Sequence, residues 1–156
     1  AKKFKEFFFF FIPKDIVSGY FYWLNENDNS LFFSVADCTG HGVPGAFMSI
    51  IGYNSLNAAL EKNISSPSKI LEFLDKRVKS ALTSSHNEEV KDGMDIVICK
   101  LSKNANELVF GGAINSAITV YEDDIRVLKG SKKYIGNGLS DINTNFEEKI
   151  VCLRDK

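Results

Sequence analysis

The chain has 156 residues, 44% of them hydrophobic and 25% charged, with a formal net charge of −1. That is enough apolar material for one domain with its own core, and it excludes a disordered chain. A near-neutral balance speaks against a nucleic-acid surface, which is normally basic, so nucleic acid is not an expected partner.

Residues 1–6 are polar and basic, in the manner of a preceding helix end or linker. Residues 7–12, Phe7 to Ile12, form the longest unbroken apolar run. The run is too short to cross a bilayer and lacks a signal-peptide cleavage layout. It reads as a strand buried on both faces. Pro13-Lys14-Asp15 breaks it. Residues 16–24 read as an aromatic-rich second strand, and Asn25 to Asn29 as a hairpin turn. Residues 30–37 form the next strand, paired antiparallel with the second. Glycines at 40, 42 and 45 follow, then a helix over about 44–61 with Pro44 in its first turn, where a missing N–H is harmless. This helix is apolar nearly all round, which predicts cover on more than one side. Ser66-Pro67 reads as an N-cap followed by proline at the first helical position. Ile70, Leu71, Leu74, Val78 and Leu82 continue at helical spacing to about residue 84. The period then changes from 3.6 to 2. Strands are expected over 94–101, 107–111, 117–121, 125–128 and 146–153, with a loop over 130–145. Strands, two helices, then strands is the order of an α+β domain with antiparallel sheets, not of βαβ units. Cys38, Cys99 and Cys152 are widely spaced and form no CxxC, which fits reduced thiols in a cytoplasmic protein.

The stretch from Phe32 to Ser49 organises the rest. A buried strand delivers Asp37 at its end, and a glycine-rich bend follows. A carboxylate there, with a nearby peptide carbonyl, suits a hard cation. Gly40 to Gly45 literally matches G-x-G-x-x-G, but a dinucleotide site needs a parallel strand after the helix, and a second helix follows instead. Asp15, Asp37, Asp92 and Asp95 are the acids nearest strand ends. For Asp92-Gly93 alone a solvated turn explains the pattern; taken with Asp37, a metal site does. No His pair or Cys cluster points to zinc, and an oxygen-only site favours Mg²⁺ or Mn²⁺. Cys38 beside a carboxylate is a poor nucleophile, and Ser49 has no evident base. His41 is either a general acid near a phosphate or a turn residue that packs or caps the helix.

Three ordered motifs carry a family resemblance: Pro13 to Trp23, Asp37-Cys38-Thr39-Gly40-His41-Gly42-Val43-Pro44-Gly45-Ala46, and Asp92-Gly93-Met94-Asp95-Ile96. The chain resembles the sporulation stage II protein E branch of the PPM-type metal-dependent serine/threonine phosphatases. The resemblance implies an α-β-β-α sandwich of two antiparallel sheets flanked by helices. It implies two Mn²⁺ or Mg²⁺ ions holding a hydroxide that attacks phosphoserine or phosphothreonine on a regulatory protein. Asp37 would bridge both ions, the carbonyl of Cys38 would be the adjacent main-chain ligand, and Asp92 or Asp95 matches the region of a third, looser ion. Relatives have a proposed acid, a His, close after the bridging Asp; His41 lies four residues on. The implied partners are a phosphorylated anti-anti-sigma-like regulator and an upstream sensor domain.

Two departures stand out. The family reads Ser-Gly-Asp-Phe-Tyr-Trp where this chain has Ser18-Gly19-Tyr20-Phe21-Tyr22-Trp23. The family also continues with a Ser/Thr-Asp-Gly segment and an Asp-Asp strand, so residues 1–156 correspond to the N-terminal two-thirds of a PPM-type domain. These departures imply weak hydrolysis, or a pseudophosphatase that binds phosphoprotein without cleaving it. An uncovered sheet edge would also favour a homodimer.

Overall fold

The computed structural model describes residues 8, 10–12, 18–83, 92–104, 106–121, 124–136 and 145–153. The first two strands, β1 (Tyr20–Glu26) and β2 (Ser30–Cys38), form a hairpin. Its turn is built by Asn27, whose side-chain oxygen accepts the backbone N–H groups of Asn29 and Ser30 at 3.0 and 2.9 Å. Two helices follow, α1 (Gly42–Glu61) and α2 (Pro67–Thr83). The chain then returns as β3 (Met94–Ser102), β4 (Glu107–Ala113), β5 (Ala117–Tyr121), β6 (Asp124–Leu128) and β7 (Glu148–Cys152). One antiparallel sheet has the order β1-β2-β3-β4-β7, and β5-β6 forms a separate two-stranded sheet. The fold is α+β with antiparallel sheets, as the element order predicts.

Both helices cover one face of the large sheet. The period of two along β2 sends Ser30, Phe32, Ser34, Ala36 and Cys38 toward them. Trp23, Phe32, Ile96, Ile98, Leu56, Ile70, Leu71, Leu74 and Val78 make the main core there. The opposite face carries a smaller cluster of Cys99, Phe110 and Leu128, packed with Phe33, Val97 and Ala117 under the β5-β6 hairpin.

Four expectations need correction or refinement. Phe8, Phe10, Phe11 and Ile12, the described members of the first apolar run, lie in no strand and are exposed. An apolar run by itself does not decide burial: these four side chains stay exposed, and the Phe11 ring lies 6.1 Å from that of Tyr22 on β1. Helix α1 is covered by the sheet and by α2, as expected, but its outermost face stays open among the described residues. It turns Gly45, Gly52, Ser55 and Ala59 inward with Met48 and Leu56, while Val43, Phe47 and Ile50 face outward and stay exposed. Small inward residues let the helix lie close to the sheet and leave the bulk outside. The start of α2 is capped by a distant carboxylate, to which the Ser66 hydroxyl itself donates. Glu148 of β7 accepts the backbone N–H of Ser68 at 3.2 Å and the hydroxyls of Ser66 and Ser68 at 2.7 and 3.0 Å. The segment after β6 is not a plain loop: Ser131 bridges Ala113 and Ile135 bridges Met94.

Candidate metal centre

The register of β1, β2 and β3 builds the site. Tyr20 stands opposite Asp37, and Asp37 stands opposite Asp95. All three project from the face turned away from the helices, because Cys38 and Met94, one residue along, belong to the helix-side core. Side chains opposed in this way have their Cβ atoms about 4.5–5.5 Å apart. The two carboxylates therefore compete for one small space. Partial burial raises the pKa of Asp37. Burial, and then repulsion from Asp37, raises that of Asp95. Asp95 Oδ1 is buried with no hydrogen-bond partner among the described residues.

The bend after β2 is fixed by its glycines. Gly40 and Gly42 have φ of 84° and 62°, a region open to glycine at little cost. Thr39 clasps the bend to the approach of β3. Its hydroxyl accepts the N–H of Gly93 at 2.9 Å and lies 3.1 Å from Asp92 Oδ1, to which it donates. Its backbone N–H donates to the carbonyl of Gly93 at 2.9 Å. Asp92 is thus held by Thr39, two residues before β3, and not in the row of Asp37 and Asp95. His41 is the N-cap residue of α1, with extended backbone and no side-chain capping bond. Asp15 lies outside the described residues.

The nucleophile candidates stay unactivated. The thiol of buried Cys38 is pushed up to about 11 by burial, a contact with Ser49 lowering it and nearby Asp37 raising it further. Burial likewise pushes Cys99 up to about 12. The Ser49 hydroxyl is turned toward the carbonyls of Ser18 and Gly45, each at 3.1 Å.

A divalent cation fits this corner. Two carboxylates stand opposite each other, and Asp95 Oδ1 is buried with no hydrogen-bond partner among the described residues. Asp37 and Asp95 would supply the side-chain oxygens. Among the described residues no group of three His, Cys, Asp or Glu side chains converges, so the pair is short of a full oxygen shell. Tyr20, half exposed, occupies the third place in the row.

The sequence profile of the stage II sporulation protein E (SpoIIE) family matches residues 27–137. The chain belongs to that family. No curated protein matches it by sequence. Among solved structures it is similar to the SiaA-PP2C domain of Pseudomonas aeruginosa, with 28% identity and a TM-score of 0.77 over 91% of this chain and 54% of that one. It is also similar to the PP2C phosphatase domain of SpoIIE from Bacillus subtilis, solved with a fragment of its regulatory domain. There the identity is 20% and the TM-score 0.64, over 90% of this chain and 39% of that one. RsbX in complex with magnesium shares the fold at 13% identity, TM-score 0.59, over 89% of this chain and 62% of that one. The chain therefore spans about half the length of the SiaA domain.

Sequence reasoning named Asp37 and Asp95 but not their pairing. It missed Glu148 and Asp75. Asp75 was detectable: it follows Leu71 and Leu74 on the core face of α2, where the helical period calls for an apolar residue.

Proposed function

We propose that this chain is the N-terminal portion of a PPM-type phosphatase domain that removes phosphate from phosphoserine or phosphothreonine on a regulatory protein. The observation that carries the reading is the opposed Asp37–Asp95 pair with its unsatisfied interior oxygen. A Mn²⁺ or Mg²⁺ ion held there would activate water and offset charge on the phosphoryl oxygens. Asp37, at the end of β2, would contribute to holding it together with Asp95 and the carbonyl of Cys38. Asp92, tied up by Thr39, would serve the clasp that sets the distance between the bend and β3. By family analogy His41, exposed at the start of α1, would be the group to protonate a leaving alkoxide. The substrate reading, an anti-anti-sigma-like phosphoprotein downstream of a sensor domain, rests on the family.

Tyr20 favours a second reading, a domain that binds a phosphoprotein with little or no turnover. The Tyr20 phenol stands where a carboxylate would give a hard cation an anionic oxygen. Calorimetric titration with Mn²⁺ and turnover of p-nitrophenyl phosphate separate the two. Weak ion binding and slow turnover, both abolished by Asp37→Asn, support a weakened phosphatase. Phosphoprotein binding with neither ion uptake nor turnover supports the second reading.

A further inference from the structure

Asp75 is a carboxylate in the wrong place for a surface salt bridge. It lies on the core side of α2, and its side chain is 8% exposed. Its Oδ2 pairs with Lys79 at 2.8 Å and, at a longer 3.7 Å, with Lys133. Those lysines offset the charge. Oδ1 does something else: it accepts the backbone N–H of Gly136 at 2.9 Å, a buried bond between segments 61 positions apart.

Gly136 lies in a strap, described over residues 131–136, that runs from the end of β4 to the beginning of β3. Ser131 joins the strap to β4, exchanging backbone bonds with Gly112 and Ile114. Ile135, fully buried, exchanges both backbone bonds with Met94 at 3.0 and 3.2 Å. Gly136 has φ of 87° and is wedged tightly: a Cβ there would sit 2.6 Å from Val78 Cγ1 of α2 and 3.1 Å from the carbonyl of Asp92. Met94 immediately precedes Asp95. The approach to β3 is thus held from one side by the Thr39 clasp and from the other by the strap, and Asp75 is the strap's hold on α2.

This arrangement matters because Asp95 faces a like charge. Among the described residues Asp95 Oδ1 has no hydrogen bond to keep it beside Asp37, which puts weight on how its backbone is held. We propose that Asp75 is a positioning residue for the candidate metal centre, acting through Gly136 and Ile135 to hold Asp95 opposite Asp37. The proposal rests on the reading of Asp37 and Asp95 as a cation-binding pair.

The test is amide hydrogen exchange of the metal-free chain, followed residue by residue by NMR, together with Mn²⁺ calorimetry. In Asp75→Ala, the amides of Met94, Ile135 and Gly136 should exchange about tenfold faster or more, the scale of losing a hydrogen bond to a charged group. Amides of the β1–β2 ladder should accelerate less. Asp75→Asn keeps an oxygen for the Gly136 N–H and should restore both the exchange pattern and the Mn²⁺ affinity that Asp75→Ala weakens. Uniform acceleration across the sheet in Asp75→Ala overturns the proposal, since it marks a general stabilising role. Should Asp75→Ala fail to fold, the unmodified chain decides. Met94, Ile135 and Gly136 must then open together with a common denaturant dependence, and separate openings overturn the proposal. Failure of the metal reading is visible independently, as an unmodified chain that takes up no Mn²⁺ while the exchange pattern holds.

Discussion

Asp37, Asp95 and Tyr20 make a three-residue argument about charge. Opposed carboxylates on neighbouring strands destabilise one another, by roughly 0.2–1 kcal/mol and less where solvent screens them. Both have raised pKa values, so in the metal-free chain this pair becomes more stabilising as pH falls toward those values and less so above them. Asp37→Asn should therefore raise the thermal midpoint of the metal-free chain slightly at pH 7 and erase any increase produced by Mn²⁺. Thermal melts with and without the ion check both halves. A midpoint that falls without metal would show that Asp37 is satisfied by partners other than a cation. Tyr20→Asp is the complementary change. It adds a third carboxylate to the row opposite Asp37. Ligand-shell changes of this kind shift ion affinity by about 10–100-fold. Tyr20→Asp should tighten Mn²⁺ binding within that range and raise p-nitrophenyl phosphate turnover, at the cost of a lower midpoint without metal.

At the scale of elements, Glu148 ties the last strand to the second helix. Burial alone would raise its pKa, but the Ser66 hydroxyl, the Ser68 N–H and hydroxyl, and nearby Lys100 together lower it. A lowered carboxylate stabilises the fold above its unfolded value, and that contribution is lost as pH falls through the folded one. Below the ordinary glutamate value of 4.5 the unmodified chain should therefore lose stability that Glu148→Gln lacks throughout. Glu148→Ala should cost about 1 kcal/mol, the usual worth of a helix cap, or about 2–4 °C in a chain of this size. Melts across acid pH read both effects. The same contact shows what was legible beforehand. Helix α2 could be located from Ser66-Pro67 and the spacing of Leu71, Leu74 and Val78, because those signals are local. Its actual cap comes from residue 148, and no local pattern encodes that. Asp37 was likewise legible as an acid between a strand and a glycine bend. Its pairing with Asp95 was not, because the register of β2 on β3 is set across two intervening helices. Asp75 and Lys79 stand four apart, which reads as an exposed helix pair unless the core-face phase of residue 75 is weighed first.

For the molecule as a whole, the two faces of the large sheet are unequal. The helix side is closed by a continuous core, whereas the other side is only partly covered by β5 and β6. Tyr20, Tyr22, Leu24 and Val35 remain exposed beside the candidate metal centre. Strand β1 stands first in the order of the large sheet among the described residues. An exposed apolar surface of this kind favours pairing between copies. The chain should accordingly self-associate as concentration rises, and sedimentation velocity should show it. Leu24 points outward from the middle of β1, on the uncovered face. Burying a leucine contributes about 1.5–3 kcal/mol, so Leu24→Lys should weaken association by about tenfold or more. It should leave the midpoint of the isolated chain nearly unchanged, since Leu24 already faces solvent. Association that survives Leu24→Lys would move the contact to the exposed Val43, Phe47 and Ile50 stripe of α1, on the other side of the sheet. A matching Phe47→Lys variant would then be the one that returns the chain to a monomer.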